Sequence, residues 1–120
     1  MKVAVTSQGK DLSSQVDPRF GRAKYFILVD TDSGEFSAHD NSQNLNAPQG
    51  AGIQAGQNVV SLGVEAVITG NAGPNAFKTL QVGNVKVYVG ATGTVADAIE
   101  QLKTGKLQEA SQANVEGHWA

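Results

Sequence analysis

The sequence predicts an α/β domain with a five-stranded mixed sheet in the order βββαβαβα and helices on its faces. Three observations carry this. Short apolar runs each end in small turn-forming residues, as buried strands do. Residues 24–39 have the pattern of a β-hairpin. And the second half of the chain repeats a strand, GxxG, helix unit at a 20-residue offset.

Val3-Ala4-Val5 is the first apolar run, and Thr6-Ser7-Gln8-Gly9 closes it as a loop. Lys24 to Asp30 is aromatic and β-branched, Thr31-Asp32-Ser33-Gly34 is turn chemistry, and Glu35 to His39 alternates as an edge strand does. Asn41 to Pro48 reads as a loop. Gln49 to Leu62 has mainly helical spacing and ends at Gly63. Gly52 and Gly56 in it should let its backbone lie close to the sheet. The repeat follows: Val67-Ile68-Thr69-Gly70-Asn71-Ala72-Gly73 with a helix to Leu80, then Val87-Tyr88-Val89-Gly90-Ala91-Thr92-Gly93 with a helix from Thr94 to Lys103. Pro74 suits the first turn of a helix, and Thr94 suits an N-cap. Successive units of this type build a parallel sheet. The order is compatible with an RNase H-like layout. One domain over residues 1–104 and a polar tail over 105–120 complete the expected organisation.

The bulk properties exclude several functions. Net charge is -2 with a pI near 5.5, so no global field draws the chain to nucleic acid or to an anionic membrane. No 18-residue apolar span or secretory h-region occurs, and the expectation is a cytoplasmic protein. The absence of cysteine removes disulfides, thiolate nucleophiles, zinc ribbons and Cys-ligated clusters. No GxxxxGK[ST] segment is present for a P-loop. The first strand has no carboxylate for a two-metal nuclease, and His39 and His118 lack a nucleophile-elbow context. No enzymatic activity is expected.

If the strands at Val3, Val67 and Val87 are parallel, their C-terminal ends share the edge where ligands of open α/β sheets bind. Thr69-Gly70-Asn71-Ala72-Gly73, with Asn75, and Gly90-Ala91-Thr92-Gly93-Thr94 lie there. GxxG after a strand can be no more than a tight turn. Yet no Lys, Arg, Asp or Glu occurs from Ala66 to Phe77 or from Val87 to Ala96. Uncharged loops rich in N-H donors at helix starts suit a large, diffuse anion better than a hard phosphate. Asp17-Pro18-Arg19-Phe20-Gly21-Arg22 holds the close arginine pair, and residues 17–24 carry a balance of +2. That segment is either a solvated loop with Phe20 in the core, or a basic lip with Phe20 as an apolar wall. Near the C-terminus, Trp119 could dock on an apolar surface, or His118 could be a metal ligand beneath it.

Together, Asp17 to Arg22, the polar loop and glycine-rich helix, Val67 to Phe77, and Val85-Lys86-Val87-Tyr88 resemble the dinitrogenase iron-molybdenum cofactor biosynthesis family over Met1 to Lys103. The resemblance implies an RNase H-like fold and a role in carrying or assembling metal-sulfur clusters, as in NifX-like proteins and the C-terminal domain of NifB. Without cysteine the chain looks most like the orange-protein branch, which carries an anionic molybdenum-copper sulfide cluster non-covalently. An iron-molybdenum or iron-sulfur cluster is the alternative. Arg19, Phe20, Gly21 and Arg22 match its RFGR-type motif, and Gly70, Asn71, Gly73, Pro74 and Asn75 its glycine loop.

The expectation is a cluster carrier with Arg19 and Arg22 supplying charge and the N-H groups of residues 70–75 and 90–94 bonding sulfide. A rival reading is a protein-protein module in a metallocluster or cell-division-linked assembly complex, docking through residues 41–64, which carry no charge. An enzyme on a small anionic substrate, with Asp11 or Asp17 as base, stands third.

Overall fold

The computed structural model describes residues 1–41 and 51–113. The Asn41–Pro48 loop, apart from Asn41, and the His118 and Trp119 roles lie outside the described residues.

The strands are β1 (Lys2–Ser7), β2 (Tyr25–Asp30), β3 (Phe36–Asp40), β4 (Ala66–Ile68), β5 (Lys86–Val89) and β6 (Gln108–Glu109). The helices are α1 (Ala51–Ser61), α2 (Pro74–Val82) and α3 (Val95–Lys103). One sheet runs β3-β2-β1-β4-β5-β6. β1, β4 and β5 are parallel, as expected, while β2 lies antiparallel to both β1 and β3. The sheet has six strands rather than five. Gln108 and Glu109 pair with β5 through their backbones (Val89↔Gln108, Tyr88↔Glu109), and both side chains are exposed.

Alternation along the strands divides the core between two faces. Ala4, Phe26, Val67 and Val87 point to one, beneath Ala55 and Val59 of α1 and Ala76 and Leu80 of α2. Val3, Val5, Ile27 and Ile68 point to the other, beneath Val95, Ala98 and Ile99 of α3. Gly56 does not approach the sheet. A Cβ there would stand 2.8 Å from Cγ2 of Thr79, so it serves the close packing of α1 on α2. Gly63, at φ 74°, follows α1 in the left-handed conformation that ends many helices.

The two repeat units start their helices differently. Pro74 occupies the first turn of α2, where its missing N-H costs nothing, and Gly73 caps without a side-chain bond. Thr94 caps α3 reciprocally: its hydroxyl accepts from Asp97 N-H (3.1 Å) and its own N-H donates to Asp97 Oδ2 (3.0 Å). Gly93, at φ 83°, admits the carboxylate, since a Cβ would come within 2.5 Å of Asp97 Oδ2. Replacing Thr94 by Ala removes the hydroxyl acceptor of the Asp97 N-H while the backbone N-H of residue 94 can still donate to Asp97, and it should lower stability by about 1 kcal/mol, read as the shift of a urea midpoint at unchanged slope.

Candidate functional site

The parallel strands deliver their loops to one edge. Thr69 N-H donates to the Tyr88 carbonyl (3.0 Å), Gly90 N-H to Gly70 (3.0 Å) and Ala91 N-H to Thr69 (3.3 Å), so the loops after β4 and β5 are bonded to each other. Residues 15–22, which precede β2, lie over the same edge as a lip. Asp17 N-H donates to the Thr6 carbonyl (2.9 Å), and Phe20 N-H to Asn71 (3.2 Å). Asn71 Nδ2 donates to the Pro18 carbonyl (3.0 Å). Beneath them the buried Thr6 hydroxyl bonds the Asp17 carbonyl (2.8 Å) and the Thr69 hydroxyl (2.9 Å). Thr6 has one proton, and with that proton on Asp17 the Thr69 hydroxyl donates the second bond. Pro18 rests on Gly70 so closely that a Cβ there would be 2.8 Å from Pro18 Cα.

The glycine loops do not offer equal donors. In the second, the N-H groups of Gly90 and Ala91 serve Gly70 and Thr69, and Thr92 is clasped by the Gln101 amide, which accepts from its N-H (3.3 Å) and donates to its carbonyl (3.0 Å). The start of α3 is closed too. Val95 N-H donates to Ser14, Ala96 N-H to Leu12, and Thr94 and Asp97 bond each other, while the Gly93 carbonyl takes Val16 N-H. The donors expected of residues 90–94 are thus largely engaged by the protein.

At the start of α2, by contrast, no acceptor among the described residues meets the N-H of Asn75 or Ala76. Pro74 and Asn75 are exposed while Gly73 and Ala76 are buried, so this helix start opens to the surface at Asn75. Thr69 and Ala72 are buried, Ala72 within the core, and Asn71 is committed to the lip. These residues shape the loop.

Arg19 extends from the lip, its side chain 48% exposed, with Nε 3.9 Å from Asp17 Oδ1. With the guanidinium this exposed and the atoms this far apart, the pair contributes about 0–1 kcal/mol. Arg22 is half-buried. Phe20 is fully buried, with its ring centroid 5.3 Å from that of Phe26. It anchors the lip from below and presents no apolar wall at the surface. Buried Gly21 lends its carbonyl, with that of Ala23, to Asn41 Nδ2 (3.4 and 2.8 Å), which ties the lip to the end of β3. Cavities of about 310 and 400 Å³ lie away from this edge, beside Leu28 and Phe36 and between α2 and β5–β6. Among the described residues no three His, Cys, Asp or Glu converge to hold a metal ion.

Asp17 belongs to the site in a way that the sequence reading did not assign. The residue is 5% exposed, and its carboxylate accepts Arg19 N-H at 3.0 Å. This Asx-type turn around Pro18 is written in the Asp-Pro pair. Burial pushes the carboxyl above its ordinary 3.8, against the lowering effects of the Arg19 bond and the Arg19 and Lys24 charges. The folded state therefore binds this proton more readily than the unfolded chain. The resulting stability is fully present below the unfolded value and is lost as pH rises through the folded one. Asp17→Asn keeps an acceptor for Arg19 N-H but cannot titrate. Its stability should gain on the wild type's as pH rises above the ordinary carboxyl value of 3.8 and level off once the folded carboxyl is ionised, by at most about 1.4 kcal/mol per pH unit, as measured by denaturant titration. Gly70→Ala forces Pro18 off the β4 loop and should cost about 1–3 kcal/mol, with faster hydrogen exchange at Phe20 and Asp17 than in the rest of the sheet.

Comparison with known proteins gives this edge a lineage. The orange protein of Desulfovibrio gigas, solved in its apo form, superposes with a TM-score of 0.92 at 36% identity, over 95% of this chain and 96% of that one. A NifB-like Thermotoga protein of the DUF35 family, solved by NMR, is 45% identical with a TM-score of 0.83, over 97% and 98%. An uncharacterized protein of Methanocaldococcus jannaschii is 29% identical over 111 residues, 91% of each chain. Residues 1–105 match the family described as dinitrogenase iron-molybdenum cofactor. The strand-loop-helix units and the lip they carry are therefore those of a member of the dinitrogenase iron-molybdenum cofactor family, to which this chain belongs.

Proposed function

We propose that the protein carries an anionic metal-sulfur cluster and catalyses no reaction on it. The observation that carries this reading is the open start of α2, where exposed Asn75 has an N-H without an acceptor among the described residues, in the loop that the Arg19 lip is bonded to. A helix start favours an anion by about 0.3–1 kcal/mol per exposed charge, and Arg19 adds a guanidinium. Arg22 supplies a second cation in the same segment. A cluster already saturated with sulfide needs donors rather than ligands, which these groups are. Kinship with the orange protein favours a molybdenum-copper sulfide cargo, with an iron-molybdenum or iron-sulfur cluster as the alternative. Thr92, Gly93 and Thr94 hold the neighbouring loop rather than the cargo. We also assign the β3-β2-β1-β4-β5 order, a hairpin beside three parallel strands, to the RNase H-like class. No helix among the described residues is long and apolar enough to cross a membrane, and we infer a cytoplasmic carrier.

A second reading has one observation in its favour: α1 carries no charged side chain, and Ile53 on it is exposed. On this reading the helix docks on an assembly protein.

Protein isolated without oxygen from its native cells separates the two. The carrier reading expects visible charge-transfer bands with molybdenum and copper near stoichiometric. Iron with sulfide instead would assign the cargo to the nitrogenase-cofactor branch. A colourless, metal-free protein that fails reconstitution with thiomolybdate and copper, yet brings down a partner through α1, would transfer the assignment to docking. Within the carrier reading, Arg19→Ala with Arg22→Ala should weaken cluster retention about tenfold or more while the circular dichroism of the fold is preserved. Unchanged retention removes the lip from the site.

A further inference from the structure

We infer that Asp17 takes up a proton from solvent when the anionic cargo arrives, so that loading of this site is coupled to neutralisation of a buried carboxylate. The inference rests on the carrier reading above. Its geometry is that of a charge shared by two anions. The Asp17 carboxylate is nearly sealed from solvent and is held by Arg19, through the N-H at 3.0 Å and the guanidinium Nε at 3.9 Å. That guanidinium is also the exposed cation toward which a polyanion at the α2 start is drawn. Pro18, the next residue, lies on Gly70, and Asn71 pairs with Arg19, so carboxylate and open helix start belong to one bonded unit.

The groups around Asp17 leave few other ways to absorb the added charge. Arg19 and Lys24 are the charges that act on the carboxylate. Arg22 follows in the same lip. β1 and β4 contribute the Thr6 and Thr69 hydroxyls, both already bonded. α1 brings no charge, nor does the sequence of residues 42–50. An incoming anion competes for Arg19 and adds like charge beside a carboxylate that burial already penalises, and both effects favour the acid form. The step is a protonation alone: carboxylate plus a solvent proton gives the carboxylic acid, and one negative charge leaves the site. With one proton taken up, the association constant changes by up to about tenfold per pH unit where Asp17 is ionised in the free protein.

Tetrathiomolybdate, a soft sulfide dianion, is the probe. It is titrated calorimetrically into the full chain near pH 7 in two buffers of different ionisation enthalpy, and the affinity is followed across pH. The wild type should take up as much as about one proton per anion and bind more tightly as pH falls, while Asp17→Asn binds without uptake and with a flattened pH profile. Binding without uptake in the wild type, or uptake that persists in Asp17→Asn, overturns the role of Asp17 and leaves the carrier reading standing. Should the variant not fold, the carboxyl carbon shift of Asp17 in the wild type with and without tetrathiomolybdate decides: a move to the acid form supports the role, and a carboxylate that stays ionised overturns it. If the wild type binds neither tetrathiomolybdate nor the cluster formed from it with copper, the carrier reading fails and this inference with it.

Discussion

The Thr6 hydroxyl, fully buried between the Asp17 carbonyl and the Thr69 hydroxyl, fastens three separate stretches of chain at one point. β1 supplies Thr6, β4 supplies Thr69, and the lip supplies Asp17. Each bond contributes only about 1 kcal/mol net, but an unpaired hydroxyl at this depth would cost about as much or more. The arrangement is therefore close to all-or-none. It fixes the height of the lip over the sheet, and the glycine at position 70 lets the two backbones meet. From that contact follow the pairing of Arg19 with Asn71, the direction of the arginine and the turn that encloses the Asp17 carboxylate.

Division of the core into two faces then decides which helix start remains open. α3 shares its face with Leu12 and Val16, and burying those residues draws residues 12–16 across the front of α3. Their carbonyls take the Val95 and Ala96 donors. Phe20 enters the opposite face, with Ala72 and Ala76, and so anchors the lip beside the β4 loop and α2 without its carbonyls meeting the donors of that helix start. Two units alike in sequence thus differ in chemistry because the loop before β2 crosses the edge and gives the Leu12 and Ser14 carbonyls to the helix start of the second unit, while its Pro18 carbonyl takes the Asn71 side chain of the first.

Features that depend on local pattern were legible in the sequence. The parallel order of β1, β4 and β5, the Pro74 start of α2 and the Thr94 cap follow from apolar runs, turn residues and capping types, which act over a few residues. β6 was not, because Gln108 and Glu109 expose both side chains and pair by backbone alone, so no periodicity marks them. Gly56 was read as a sheet contact because spacing reveals a small residue but not the neighbour it admits. The site was legible in part. The Arg19 lip and the residue 70–75 loop were visible as motifs, whereas the closing of residues 90–94 depends on Leu12, Ser14 and Gln101, distant partners that no local pattern names.

The placement of charge bears on what this edge can discriminate. A small phosphate concentrates its charge and is best met by a bidentate arginine or a lysine at short range. Here the loop itself is uncharged from Ala66 to Phe77, and its arginines come from another segment whose position is set by the Thr6 and Gly70 contacts. Fixed N-H groups at the helix start cost no reorganisation when the anion binds, while Arg19, half-exposed and loosely paired, can adjust to the outline of a larger ion. A large ion spreads its charge over many atoms, loses less hydration on contact, and can touch helix start and arginine together. The buried carboxylate sharpens the distinction, since a hard anion too small to span both would meet the negative charge of Asp17 without recruiting all the donors that offset it.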